Sequence, residues 1–401
     1  MKRHITCSFV EDASDALSTP PGRSLDSSTP KSLDYQSTPS SSDPQRLAAT
    51  SKFSVPAVLT SEAPTLNGNP RFNLLDLELI QHWSTRTYMT MSSRFASHLV
   101  WRDTIFAEGL RHDFVLHSII ATSALHKATL LPKSSDAYAE YSKVALAYQN
   151  LALANFIPEV SRPNEDNGIA LFALSLFLTI WAFASRRLPE GFSHVKLELS
   201  HGDPSSAIFC DAHTPTAQFI EIVMIVRGVY AIIRETDRWL RGDIEELLRF
   251  PRTDELPPNS PDIADAFDLL QRAVEDPQFV PNDESLRELY LRQLQSLRDV
   301  ARCRSVVEWD GHIFSWVIMA PPEFVDCLKQ GQPMALVIFA HWAAALRCMD
   351  HHWWATGWPY SLVADLVTVL DASWDALMDW PKKQVGLKFQ STPAFEHRKL
   401  G

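Results

Sequence analysis

Ile169-Ala170-Leu171-Phe172-Ala173-Leu174-Ser175-Leu176-Phe177-Leu178-Thr179-Ile180-Trp181-Ala182-Phe183-Ala184 is an apolar run broken only by Ser175 and Thr179. It stops short of the roughly 18–20 residues that a membrane span needs, so it reads as a buried helix. It shows no strict alternation of the kind that marks a half-buried strand. Asn164 stands before it as the expected cap, and the helix is expected to end near Ser185.

The flanking segments keep the helical period. Leu74, Leu75, Leu77, Ile80 and Trp83 open it, followed by helices expected over 113–130 and 135–156. Beyond a polar loop, Thr214-Pro215 and Ser260-Pro261 each pair an N-cap residue with a first-turn proline. The helices they open are expected to run to about Gly242 and Glu275. Others are expected over 282–304, from Pro321-Pro322 to Gly331, from Pro333 to Trp354, and over 361–380 with Pro381 as the stop. No stretch demands a sheet. The fold class is therefore all-α, with roughly ten helices.

Before Asn73 the character changes. Ser, Thr and Pro dominate, and the near-repeat Ser24-Leu25-Asp26-Ser27-Ser28-Thr29-Pro30 and Ser32-Leu33-Asp34-Tyr35-Gln36-Ser37-Thr38-Pro39 holds too little apolar surface to offset the entropy of ordering it. This reads as a linker, with Thr19, Thr29 and Thr38 as candidate proline-directed phosphorylation sites.

Composition narrows the function. The 401 residues are 45% hydrophobic and 21% charged, enough for one large or two modest cores. Only 13 glycines are present, and neither G-x-G-x-x-G nor G-x-x-x-x-G-K-[ST] occurs, which argues against those nucleotide-binding loops. A net charge of −11 opposes nucleic-acid phosphates. Five scattered cysteines fit reduced thiols inside a cell. Neither G-x-S-x-G nor H-E-x-x-H is found.

Leu74 through Trp83, Phe114 through His126 and Asn167 through Ser175 resemble the regulatory domain of fungal zinc-cluster transcription factors, in the branch of the sterol uptake control proteins. Arg238-Trp239-Leu240, Ala335 through Trp342, Trp353 through Trp358, and Trp374 through Pro381 continue the resemblance in order. Lys2-Arg3-His4-Ile5-Thr6-Cys7-Ser8-Phe9 is similar to the end of the family's six-cysteine cluster, with Cys7 as the last zinc ligand. One thiolate cannot supply the four ligands of a structural zinc. Zinc is therefore expected only where the remainder of the cluster is restored, and no other cofactor is expected. The resulting division is a zinc-cluster remnant over 1–9, a disordered linker over 10–72, an all-helical regulatory domain over 73–382 and a tail over 383–401.

The resemblance implies a nuclear transcriptional regulator, cytoplasmic when ligand-bound, whose helical domain senses a sterol-like molecule and dimerises with itself or with related regulators. Ligand binding would repress and ligand loss activate. DNA would be reached only through the zinc cluster; neither an enzyme nor a membrane span is expected. Tryptophans crowd the last third, and rings with one polar edge suit a ligand with one hydroxyl. His341, Trp342, Trp353, Trp354, Gly357 and Trp358 are the candidate ligand-binding residues, Gly357 matching the family's activation-controlling loop. A truncated scaffold that dimerises without ligand is the alternative. His341, Cys348 and His352 as metal ligands, and Asp262, Asp265 and Asp268 as a magnesium cluster, have simpler explanations in packing and helix-dipole charge.

Overall fold

Several of the longer helices begin at a side chain that satisfies one of their first N–H groups. Asn73 Oδ1 accepts from the Asp76 N–H while Asp76 accepts from the Asn73 N–H, both at 2.9 Å, a reciprocal box that starts α1 (Leu74–Thr85). Ser135 caps α5 (Asp136–Val160) by accepting from Tyr138 N, and Thr214 caps α7 (Pro215–Thr236) through Ala217 N. A computed structural model describes residues 65–66, 69–70, 73–185, 214–252, 255–280 and 283–387.

The chain forms two units, Met1–Arg71 and Phe72–Gly401. In the first, the described residues are two antiparallel dipeptides, Thr65–Leu66 paired with Asn69–Pro70. The second is all-α. Besides those named, its helices are α2 (Phe95–Leu99), α3 (Ile105–Gly109), α4 (Asp113–Thr129), α6 (Gly168–Ala184), α8 (Pro261–Glu275), α9 (Glu284–Ala301) and α10 (Ser315–Met319). After them come α11 (Pro322–Lys329), α12 (Pro333–Ala345), α13 (Trp358–Val369) and α14 (Asp375–Val385).

Two helices form the centre. In α6, Leu171 to Leu174 and Phe177 are wholly buried, packed against α4 and α7. In α12 every residue from Met334 to Ala345 is buried, between α9, α13 and α14. Three of the buried tryptophans each satisfy their polar edge on a different carbonyl. The Trp342 indole N–H donates to Ile313 O, that of Trp316 to Gln293 O and that of Trp358 to Phe183 O, all at 2.9–3.0 Å. At the start of α6, a Cβ on Gly168 would lie 2.8 Å from the Trp239 ring, so only glycine lets Trp239 seat there.

Several boundaries differ from those read in the sequence. The α6 cap is Asn167; Asn164 Oδ1 instead accepts from the Asp166 and Asn167 N–H groups in the preceding turn. The helix expected over 361–380 is two, because Asp371 accepts from Ser373 N and opens a new turn. Pro381 lies inside α14 as its seventh residue and does not stop it, and Gly386 in the left-handed region ends the helix. The long apolar helix is α7: Pro215–Trp239 could cross a bilayer by length and composition alone. Here its Phe219, Ile222, Val223 and Val226 face packs against α6 and α13.

Candidate functional site

A cavity of about 220 Å³ opens where five sequence-remote segments meet. Met91 to Ser97 and Trp101 supply one wall, and Leu176, Thr179 and Ile180 of α6 a second. Glu246 to Phe250, Glu308 to His312 with Gly311 between, and Met349 with His352 and Trp354 complete it. The lining is predominantly apolar and aromatic, the usual character of a small-molecule site, though the volume lies below the ~300 Å³ common for such pockets.

Arg94 fastens this cavity. Its guanidinium pairs with the Glu246 carboxylate, donates to Glu246 O at 3.3 Å and Arg249 O at 3.5 Å, and lies 4.1 Å from the centre of the Trp309 ring. One cation therefore holds the 3-10 turn Gly242–Leu248 and the 3-10 turn Val307–Phe314 against the loop before α2. A half-buried, hydrogen-bonded pair of this kind holds position more firmly than an exposed one. The Trp101 indole N–H finds no acceptor among the described residues. Burial pushes the His312 imidazole down to about 4.

The wall formed by His352 and Trp354 belongs to the turn segment between α12 and α13, which docks on the turn Thr87–Thr90 and on Ser93. Thr90 O accepts from Trp354 Nε1 at 3.3 Å and from His352 Nδ1 at 3.4 Å, while Thr90 Oγ1 accepts from Trp353 Nε1 at 2.9 Å. Ser93 Oγ lies 3.0 Å from His351 Nε2 and 3.1 Å from His352 Nε2. Asp350 Oδ1 accepts from Gly357 N at 3.0 Å and so closes the segment on itself. Gly357 has φ +86°, a conformation costly for any residue with a Cβ.

Of the six candidate ligand residues, Trp354 lines the cavity. Trp353 and Gly357 shape the segment that carries it. His341, Trp342 and Trp358 are core residues elsewhere. His341 stacks on Trp380 with centroids 5.5 Å apart, its Nδ1–H donates to Val337 O at 2.9 Å, and burial lowers it to about 4. His341 and His352 thus have separate surroundings. Among the described residues no three His, Cys, Asp or Glu side chains gather to hold a metal ion. Asp262 accepts from Ser260 Oγ, and Asp268 pairs with Arg298 at 2.7 Å. Cys7 lies outside the described residues, and the chain's five cysteines are fewer than the six thiolates of a zinc cluster. The sequence reading missed Met91, Arg94, Trp101, Glu246 and Trp309; Arg94 and Glu246 are separated by a long stretch of chain, and no local pattern links them.

Comparison with known proteins then gives the relationship. Residues 78–213 match the family model described as fungal specific transcription factor domain. Sterol uptake control protein 2 of Candida albicans is 27% identical over 209 residues, 49% of this chain and 28% of that protein. A Zn(2)-C6 fungal-type transcription factor of Gibberella zeae is 23% identical over 367 residues, 86% of this chain and 68% of that protein. The chain thus spans less than a third of the first relative and about two thirds of the second. Over residues 78–213 the chain is therefore similar to the fungal specific transcription factor domain, and along more of its length to fungal zinc-cluster transcription regulators.

Proposed function

We propose that the helical unit is the effector domain of a nuclear transcriptional regulator and binds a hydrophobic small molecule, sterol-like in the sense of a large apolar body with one hydroxyl. The observation that carries this reading is the apolar cavity closed by Arg94 on one side and by the Trp353-Trp354 segment on the other. The cavity of about 220 Å³ is smaller than a sterol needs, so on this reading it widens on binding. A sterol enters by displacing the Arg94–Glu246 pair and the turns it holds, with Trp354 in contact and the unpaired Trp101 N–H in the wall as a donor for an oxygen. Gly357 and Trp353 set the position of Trp354, whereas His341, Trp342 and Trp358 support the wall from the core.

The unit also pairs with itself, and the two ligand states differ in how the 350–357 segment sits on Thr90 and Ser93. That difference passes to a DNA-binding cluster or a co-regulator, because a ligand shifts a conformational equilibrium only by its differential affinity for the two forms. The test is thermal unfolding of the full chain with and without ergosterol. A ligand at about 100 times its dissociation constant adds roughly 2.7 kcal/mol to the folded state. A specific upward shift supports the sensor. The absence of a shift with any sterol or related lipid, in folded protein, favours a scaffold that pairs with relatives without ligand.

A further inference from the structure

Several buried hydroxyls of this unit are spent on carbonyls of their own helix. Ser118 donates to Phe114 O, Ser142 to Tyr138 O and Ser175 to Phe172 O. A carbonyl holds such a hydroxyl in place but does not take its proton. Ser93 is placed differently. Its Oγ lies 3.1 Å from His352 Nε2 and 3.0 Å from His351 Nε2, and the residue is half-buried in the wall of the cavity. Thr87 also meets an imidazole, His126 Nδ1 at 3.0 Å, but it is fully buried and does not line the cavity.

The network fixes where the protons sit. A neutral imidazole carries one N–H, and a carbonyl oxygen only accepts. His352 Nδ1 faces Thr90 O at 3.4 Å, so Nδ1 carries the proton and Nε2 presents its lone pair to Ser93. The Ser93 hydroxyl therefore donates to His352 Nε2 and accepts from His351 Nε2–H. His352 is 4% exposed and stacks on Trp354 with ring centroids 5.1 Å apart, which holds its ring in this orientation. A hydroxyl hydrogen-bonded to an oriented base at the edge of an apolar cavity is the arrangement of an activated nucleophile.

We propose that Ser93 and His352 form a nucleophile–base pair that hydrolyses a carboxylic ester with a short apolar acyl chain. A cavity of about 150 Å³ suffices for the six carbons of benzene, so about 220 Å³ takes an acyl chain of about six carbons with Arg94 left in place. Ser93 Oγ attacks the ester carbonyl carbon while its proton passes to His352 Nε2. The charge that develops on the carbonyl oxygen is met by His351 Nε2–H, which turns to it once Oγ is bonded to carbon. The carbonyl then re-forms, the bond to the alcohol oxygen breaks, and His352 returns the proton so that the alcohol departs. Water attacks the acyl-Ser93 with His352 again taking a proton, and collapse releases the carboxylic acid and restores the Ser93 hydroxyl. This activity needs only the cavity as it stands and does not depend on sterol entry.

The test exposes the full chain, with circular dichroism to verify folding, to a fluorophosphonate probe and separately to para-nitrophenyl hexanoate. The probe is expected to label Ser93, located by mass spectrometry of the digested protein, and the ester to release nitrophenolate over repeated turnovers. Ser93→Ala is expected to lose both signals. His352→Gln, which keeps a side chain of similar reach, is expected to slow both about 100-fold, and His351→Ala, at an exposed position, about 10-fold. A folded wild type left unlabelled at Ser93 overturns the proposal. Labelling equally fast in His352→Gln makes Ser93 an accessible serine without a base and overturns the pair. Release unchanged in Ser93→Ala assigns the hydrolysis to another group, and one equivalent of nitrophenolate without turnover overturns the water step. The sterol-shift experiment is independent of all these results.

Discussion

Trp353 stacks on His126, with ring centroids 5.0 Å apart and 22° between planes, joining the segment after α12 to the last turn of α4. His126 also lies 5.2 Å from His82, and Thr87 Oγ1 sits 3.0 Å from its Nδ1. The stack couples a surface segment to buried polar groups of the first helices, so its loss is felt on both sides. Trp353→Ala is expected to destabilise the fold by about 2 kcal/mol, and Trp353→Phe, which keeps the stack and loses the bond to Thr90, by about 1 kcal/mol. Urea denaturation measures both. Equal losses in the two variants would show that the hydrogen bond dominates the stack.

Acid should unfold this protein before its carboxylates protonate. Burial lowers His126, His312 and His341 to about 4, and lowers His82 and His117 as well, with Arg86 adding to the effect at His82. Each folded-state value lies below the unfolded value of 6.5. The unfolded chain therefore binds more protons between pH 6.5 and 4, and stability falls as pH falls through that window. Each of the three histidines with values near 4 contributes about 1.4 kcal/mol per pH unit there. The thermal midpoint should be level from pH 8 to 7 and drop steeply from 6.5 to 4.5. A flat profile across that range would contradict neutral burial.

Two glycines should respond to alanine with opposite signs. At Gly357 a Cβ meets nothing within 4 Å, so the cost comes from φ +86° alone, about 1–2 kcal/mol. At Gly228, in the middle of α7, a Cβ also meets nothing within 4 Å, and the change should stabilise by about 0.5–1 kcal/mol through helix propensity. Melting curves of the two variants measured side by side decide the matter. Stabilisation by Gly357→Ala would contradict the left-handed turn.

Glu246→Gln should loosen the cavity without emptying it. Arg94 keeps its acceptors Glu246 O and Arg249 O but loses its counter-charge, at an expected cost of about 1–2 kcal/mol. If the proposed sterol site is correct, uptake of dehydroergosterol, followed by energy transfer from Trp101, Trp309 and Trp354 in the lining, should become several-fold faster. Uptake at the wild-type rate would mean that ligand enters elsewhere or that this is not its site.

Helix class and most helix starts were legible because they are local: Thr214-Pro215, Ser260-Pro261 and the apolar run of α6 carry their own instructions. The five-residue α10 was not, since so short a helix cannot show a period, nor were α2 and α3, which the π turn Val100–Thr104 joins into one run whose wider turn breaks the 3.6-residue pattern. Among the tryptophans the sequence could not separate cavity wall from core. Trp342 and Trp358 are neighbours of Trp353 and Trp354 in the same pattern. Which of the four faces a cavity depends on Phe183 O and Ile313 O, acceptors far away along the chain.

The cavity straddles the limits of the segment that matches the family model. Residues 78–213 contribute Met91 to Trp101 and Leu176 to Ile180, while Glu246 to Phe250, Trp309, His312, Met349 and Trp354 come from beyond it. A fragment cut at the module's edge would own two walls of a room and none of the others. Divergence beyond residue 213 can therefore re-furnish the chamber for a different guest while the recognisable part of the sequence stays as it is.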